Sequence, residues 1–405
     1  MKFLRPYIPL LLASLLLFVG NGTLSTAIPL RGKFENFSDQ VIGLIGSGYY
    51  AGMLVGSILL PWLVTRFGAV LAFSICAAVG ALAGILVPVW ADPPFWFLLR
   101  FAIGISLTGV YVIIEGWLNG RATARDRGLL LGFYSVVQYC SWALGNQVIK
   151  VSVPQAWTLF IIAAAAIALA GIPLWFMREP PPEQDVSQAS SHPLAPVIQA
   201  AKSLTWFWRV SPVGFVGALL IGTLNGPMWA LTPVYAREVG MQTNEISNLM
   251  SALMFGSAAM QVPAGFLSDR FDRRSVLVVL CALSAALELV FFFYGASLPV
   301  LTIYALGFVL GGFMATPYYV VSAHSVDRAG ESRAVDVMAV LVLLYGIGAV
   351  AGPNIAPQMM AWLGPSGVFL FEALLHIAII GFTLWQMSRR TAPIPQESQP
   401  VPPPI

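Results

Sequence analysis

Charge is what this 405-residue chain has least of: 21 Lys and Arg and 18 Asp and Glu make up only 10% of it. An ordinary soluble domain carries about 25% charged residues, and a water-facing surface cannot be covered with so few. The shortage excludes a string of soluble domains, for which the length alone leaves room. Histidine and cysteine are scarcer still, at three each. His192, His324 and His376 fall in a polar stretch, at a loop edge and in an apolar run, with no metal-ligand or triad spacing. Cys76, Cys140 and Cys281 each sit inside an apolar run. An odd, scattered set of this kind reads as packing residues and not as a disulfide framework. No GxxxxGK[ST] phosphate loop occurs, which argues against ATP hydrolysis. The expectation is a protein that is not an enzyme and holds neither metal nor cofactor.

What the chain has in abundance is apolar residues, 58% of the total. A membrane helix needs about 20 of them in succession, because a core of about 30 Å is crossed at about 1.5 Å per residue. Twelve stretches qualify, near 6–30, 40–65, 69–90, 94–118, 128–149, 155–177, 209–236, 244–267, 275–295, 298–322, 335–361 and 366–387. The first follows Lys2 and Arg5 like a signal peptide, but its run is too long for an h-region of about 7–15 residues. Residues 178–208 break the pattern. They open Arg178-Glu179-Pro180-Pro181-Pro182 and continue rich in Ser, Gln and Pro, which reads as a linker. Residues 388–405, with Pro393, Pro395, Pro400 and Pro402, read as a disordered tail.

Lys and Arg sort to alternate loops. One side takes Lys2, Arg5, Arg66, Arg121, Arg125, Arg127, Arg178, Lys202, Arg209, Arg270, Arg273, Arg274, Arg328, Arg333, Arg389 and Arg390; the other takes Arg31, Lys33, Lys150 and Arg237. Both termini and the linker are therefore expected in the cytoplasm, with the chain multi-pass in the plasma (inner) membrane.

The two halves repeat. A shift of 204 carries Asn21-Gly22 onto Asn225-Gly226, Pro29 onto Pro233, Gly52 onto Gly256 and Arg66-Phe67 onto Arg270-Phe271; a shift of 207 carries Gly104 onto Gly311, Tyr111 onto Tyr318 and Gly145 onto Gly352. Six helices, a linker and six similar helices in the same orientation form a parallel repeat, which puts a solute site between two halves that rock. The expected fold is an all-α membrane protein of twelve transmembrane helices in two pseudo-symmetric six-helix bundles, residues 1–177 and 209–387.

Gly265-Phe266-Leu267-Ser268-Asp269-Arg270-Phe271-Asp272-Arg273-Arg274 resembles the signature loop of the major facilitator superfamily. Its counterpart at Pro61 to Ala69 keeps Arg66 and Gly68 but has Thr65 in place of the acid. Glu115-Gly116-Trp117-Leu118-Asn119, Tyr345-Gly346 through Gly352-Pro353, and Gly364-Pro365-Ser366-Gly367 resemble the YcaD-type permease branch, which reads Glu-Ser-Trp-Leu-Asn at the first of these. The resemblance implies a secondary active transporter working by alternating access, with helices 1, 4, 7 and 10 around the cavity and 3, 6, 9 and 12 outside. Its partners are then a small-molecule solute, the lipid bilayer and a proton as coupling ion. Nucleic acid has no place, and the monomer suffices. Drug antiporters of the superfamily often carry Gly-Pro on helix five; here Gly145-Asn146 stands there and Gly-Pro appears on helix eleven as Gly352-Pro353, which favours uptake by symport or facilitation over multidrug or metabolite efflux. A channel or a membrane signalling protein is the alternative of a different class.

Within that frame, Arg100, Gly104, Thr108, Tyr111 and Glu115 form a stripe on helix four. Arg100 and Glu115 are about 22 Å apart along the axis and cannot pair. Arg100 either binds an anionic group or tunes a proton site. Asn21 and Asn225 offer amides from both halves, Tyr134, Gln138 and Trp142 lie along helix five, and Trp229 and Tyr318 complete the expected solute contacts. Glu115 either latches to Arg121 or Arg125 or carries a proton. Asp269 with Arg127, and Arg66 with Asp336, are the expected inner gate, next to Arg270. Glu372 and His376, i and i+4 on peripheral helix twelve, read as a structural pair, with Glu288 on helix nine placed similarly.

Overall fold

The computed structural model describes residues 7–121, 127–176 and 195–389. The helices are α1 (Ile8–Phe34), α2 (Asp39–Phe67), α3 (Ala69–Leu86), α4 (Pro93–Arg121), α5 (Arg127–Val148), α6 (Trp157–Leu169) and its short continuation α7 (Ile172–Trp175) in the first half. After α8 (Ala195–Val210), the second half holds α9 (Pro212–Glu238), α10 (Thr243–Arg270), α11 (Arg273–Tyr294), α12 (Val300–Ala315), α13 (Pro317–Ala329), α14 (Ala334–Leu363) and α15 (Gly367–Arg389). Two of the twelve expected spans are broken. The sixth is interrupted between α6 and α7, ahead of Pro173. The tenth breaks at Thr316-Pro317, where proline removes a backbone donor and opens a new first turn.

Among the described residues, eleven spans are long and apolar enough to cross a bilayer, counting α12 with α13 and α6 with α7 as one each. Of the twelve expected spans, α5 is the one not among them. It turns Gln138 toward the cavity, Asn146 toward α1 and Gln147 toward α10, while Phe133, Val136 and Leu144 are exposed on its outer side. A soluble-looking helix is tolerated in a membrane when its polar side is buried in protein.

Local chemistry sets the helix ends. Ser38 caps α2 by accepting from Val41 N, and α2 stops at Gly68, whose φ of 76° suits a residue without Cβ. Gln242 and Glu245 form a reciprocal capping box on α10. Asp272 caps α11 by accepting from Arg274 N, and it pairs with the Arg274 guanidinium at 2.9 Å. Burial works against its charge, but those bonds hold the carboxyl below its usual range.

Lipid gives helices no hydrophobic reason to associate, so close backbone approach at small residues does the work. A Cβ at Gly52 would lie 2.0 Å from Phe101 O, and one at Gly104 would lie 2.0 Å from Tyr49 O, so α2 and α4 touch backbone to backbone. The copies behave alike: Gly256 meets Phe308 O at 1.7 Å and Gly311 meets Leu253 O at 2.0 Å, between α10 and α12. The sequence repeat is thus a repeat of packing.

The stretch read as linker holds a surprise. Residues 195–210 form α8, which runs up to Ser211 and packs on α14, α9 and α13 of the second half. Phe207 is fully buried there, and Trp206 receives the Arg333 guanidinium over its ring. Val197, Ile198, Ala201, Leu204 and Phe207 carry the helical period, which the proline-rich run before them masks. The linker section 178–194 and the tail from 390 lie outside the described residues.

Candidate functional site

Between the halves lies a cavity of about 290 Å³, open space lined by α1, α2, α4 and α5 from one side and α9, α10, α12, α13 and α14 from the other. Eight expected solute contacts line it: Asn21, Arg100, Tyr111, Gln138, Trp142, Asn225, Trp229 and Tyr318. Two do not. Thr108 donates to Gly104 O of its own helix and presses its Cβ toward Gly56 on α2. Tyr134 is buried beside Phe18, with ring centroids 6.3 Å apart. Unforeseen were Tyr49 and Tyr50 from α2, Tyr139 from α5 and Tyr345 from α14, which make the lining strongly aromatic.

The lining is ordered by its own bonds. Asn21 Nδ2 donates to Tyr111 OH at 3.1 Å and to Tyr49 OH at 3.4 Å, while Asn21 Oδ1 is buried without a donor. Trp142 Nε1 donates to Ser25 Oγ at 3.1 Å, and the Trp142 ring stacks on Trp229 of the other half at 6.2 Å. Asn225 Nδ2 donates to Ile221 O one turn back on α9.

Arg100 is the one charged side chain among the lining residues. It is 6% exposed, and its guanidinium lies 4.7 Å over the Tyr49 ring. Nη1 is buried with no acceptor, and no carboxylate pairs with it among the described residues. An Arg in a membrane core costs about 2.5–3.5 kcal/mol on insertion scales. The ring face offsets part of that, but it supplies no anion.

The face opposite the linker is sealed across the halves. Lys33 at the end of α1 pairs with Glu238 at the end of α9, and within its own half with Asp39. Gln147 Nε2 donates to Ser251 Oγ, Lys150 Nζ to Asn248 Oδ1, and Ser247 Oγ to Asn146 O. A Cβ at Gly43 would lie 1.9 Å from Pro353 O, so α2 and α14 also touch there.

On the linker face the described ion pairs stay within the second half. Asp269 and Asp327 both bind Arg273, at 3.2 and 2.6 Å, and Asp336 binds Arg333 at 3.1 Å. Of the expected gate pairs, Arg66 and Asp336 are not joined: Arg66 is exposed and Asp336 is taken by Arg333. The side chains of Arg121, Arg125 and Arg127 lie outside the described residues. Arg270 stacks on Phe266 instead of reaching the first half. Glu115 is exposed near the linker end of α4. His376 pairs across helices with Glu288 and not with Glu372.

Because the Lys33–Glu238 bond crosses the halves and the Lys33–Asp39 bond does not, the two separate in a test. Glu238→Gln is expected to raise the labelling rate of a cavity cysteine (Met53→Cys) by a thiol reagent applied to the far face, by roughly up to fivefold. Asp39→Asn should change that rate little.

Two similar six-helix halves, sealed at one face around a central aromatic cavity that holds one cation, define a secondary transporter. The family model described as Major Facilitator Superfamily matches residues 10–243 and 214–404, and the chain belongs to that superfamily. It is similar to an uncharacterized MFS-type transporter YcaD of Escherichia fergusonii, with 28% identity over 96% of this chain and 97% of that one. An uncharacterized MFS-type transporter of Enterobacter sp. (strain 638) is 27% identical over 96% and 98%. Among solved structures, the nucleoside transporter NupG superposes with a TM-score of 0.78 at 14% identity, covering 95% of this chain and 100% of that one. A D-xylose-proton symporter gives 0.70 at 14% identity, covering 94% and 97%.

Proposed function

We propose that the protein carries a small aromatic or heteroaromatic organic anion through the central cavity by alternating access, as proton-coupled uptake. The observation that carries the reading is the buried, unpaired guanidinium of Arg100. A carboxylate supplies the missing counter-charge and matches the guanidinium fork with two parallel hydrogen bonds. The rings of Trp142, Trp229, Tyr50 and Tyr345 suit a flat apolar body. The orphan acceptor Asn21 Oδ1 suits a solute that also carries an N–H or O–H donor. The volume suits a metabolite. The linker face is the cytoplasmic one on the positive-inside bias, so the far-face seal describes the state in which solute leaves for the cytoplasm. Asp269 with Arg127, and Arg66 with Asp336, close the linker face in the opposite state.

The test is a thermal-shift screen of matched sets on purified protein, each set an aromatic acid with its neutral amide and its amine. A site occupant stabilises by mass action, about 2.7 kcal/mol at a hundredfold excess over its Kd. The acids are expected to raise the melting temperature, and amides and amines to do so far less. Amines outperforming acids would end the reading. Uptake of the best acid into proteoliposomes, with and without a pH gradient, then decides direction and coupling.

A further inference from the structure

The second half holds a cluster of ionisable groups away from the cavity, in the seam between α11 and α15. Glu288, Glu372 and His376 are each 0% exposed. His376 Nδ1 lies 2.8 Å from Glu288 Oε2, and Glu372, one helical turn before His376, lies within Coulombic reach of Glu288. Most of the remaining polar atoms are unmatched. Glu288 Oε1, both oxygens of Glu372, His376 Nε2, Ser284 Oγ and Thr383 Oγ1 have no partner. These are six of the twelve such buried atoms among the described residues, so the shortage of partners is concentrated at this seam.

A structural ion pair needs one carboxylate and one cation. Here a second carboxyl is buried beside the pair with no cation among the described residues to neutralise it. The Lys and Arg of α11 and α15, which are Arg273, Arg274 and Arg389, all lie at the linker ends of those helices. Among the described residues, the titratable group facing the cluster from a neighbouring turn is Cys281 on α11, which is no cation; Tyr235 on α9 meets Phe369, one turn before Glu372. Two carboxylates cannot both stay ionised in such a place. No group among the described residues has the arrangement to hold a metal ion. The remaining species that balances the charge is the proton.

The cluster also touches the sealing machinery. Phe291, three residues on from Glu288, stacks on Phe369, three residues before Glu372, at 4.8 Å. Phe369 meets Tyr235 of α9 edge-on at 4.7 Å. Tyr235 lies three residues before Glu238, the second-half partner of Lys33. The ring contacts thus tie the two helices that carry the carboxyls to α9, one turn before the residue that closes the far-face lock.

We propose that Glu288, His376 and Glu372 form a proton-binding site whose loading sets the position of the far end of α9, and with it the Lys33–Glu238 seal. In the loaded form Glu372 holds a proton on one oxygen while a proton shared by His376 Nδ1 and Glu288 Oε2 keeps that pair bonded. Release takes the Glu372 proton to solvent and leaves a net negative charge that the packed seam accommodates by moving. The inference rests on the alternating-access reading, but not on the identity of the solute.

The experiment uses full-length protein in phospholipid nanodiscs, with Cys140→Ser and spin labels on Gln40→Cys and Asn244→Cys, exposed far-face positions of opposite halves. Distance distributions are recorded from roughly pH 5 to pH 9, a range that spans the release of a proton from a buried carboxyl. Wild type is expected to shift its ratio of closed to open far face by roughly 5- to 150-fold, the usual span of coupling between sites. Glu372→Gln, which keeps the shape of the protonated acid, should show the low-pH distribution at every pH. Infrared difference spectra of the unlabelled protein should show a protonated-carboxyl band that appears on acidification and is missing in Glu372→Gln. Titration of Glu372→Gln identical to wild type, or a wild type without that band, overturns the proposal. Solute-induced thermal shifts on the same samples read the cavity separately. Their loss with the titration intact counts against the solute and not against this site.

Discussion

Arg100→Gln is expected to reduce the affinity for an aromatic acid on the order of a hundredfold, while the unliganded protein melts at or above the wild-type temperature. The two halves of this expectation have one cause. Hydrogen bonds to a charged group contribute about 1.5–3 kcal/mol each, and the guanidinium offers its fork to a carboxylate in a place where water competes poorly. Without solute, the same guanidinium has no anion and leaves Nη1 unbonded, so removing it relieves a cost instead of creating one. A residue with a purely structural role would behave in the opposite way, losing stability first. Arg100→Lys separates charge from shape. It keeps the cation but loses the planar fork and much of the stacking on Tyr49, so an intermediate loss, about tenfold, is expected. The preference for acid over amide should vanish in Arg100→Gln and persist in Arg100→Lys. Should Arg100→Gln still choose acids over amides as wild type does, the anion is held elsewhere. Calorimetric titration of the three proteins with one acid and its amide decides it.

Much of this arrangement was legible in the chain before folding, and the failures have physical reasons. The repeat at a shift of 204 to 207 marked the packing glycines because backbone contact leaves no freedom in residue type. Asn21, Arg100, Tyr111 and Asn225 stood out because polar groups in apolar runs need a cavity. Thr108 was misplaced by treating a spacing of four as a full turn. At about 100° per residue, Thr108 stands about 80° around α4 from Arg100, toward α2, whereas Tyr111 returns to within about 20°. Tyr134 drifts from Trp142 on α5 by the same arithmetic. Tyr49 and Tyr50 were missed because α2 was not expected at the cavity. The cross-helix bond of His376 to Glu288 could not be read at all, since spacing within one helix reports neighbours on that helix and says nothing of the register of the next.

Gly256→Val is expected to leave almost no folded protein, and the reason ties the scaffold to the mechanism. A Cβ there would stand 1.7 Å from Phe308 O, and that atom is backbone, fixed in the hydrogen-bond ladder of α12. No rotamer change makes room. The helices must separate, which forfeits the close contact that holds them together in lipid. Overpacking an ordinary core costs about 1–3 kcal/mol, with side chains free to yield; here two main chains must part, against a total stability of about 5–15 kcal/mol for a typical protein. The repeat makes the same demand of Gly52→Val, which meets Phe101 O at 2.0 Å. Gly381→Ala is the contrast. Nothing lies within 4 Å of its added carbon, and replacing a helical glycine there should raise stability by up to about 1 kcal/mol. Monodisperse yield on size exclusion and the melting temperature check all three, and a Gly256→Val protein that elutes and melts like wild type would mean that α10 and α12 are not in backbone contact. That contact matters for transport because a rocking half must move as one body. The α2–α4 pair carries Tyr49 and Arg100 together, so on the proposed alternating access the cation and the ring beneath it, 4.7 Å apart, move as one piece when the seal at Lys33 opens.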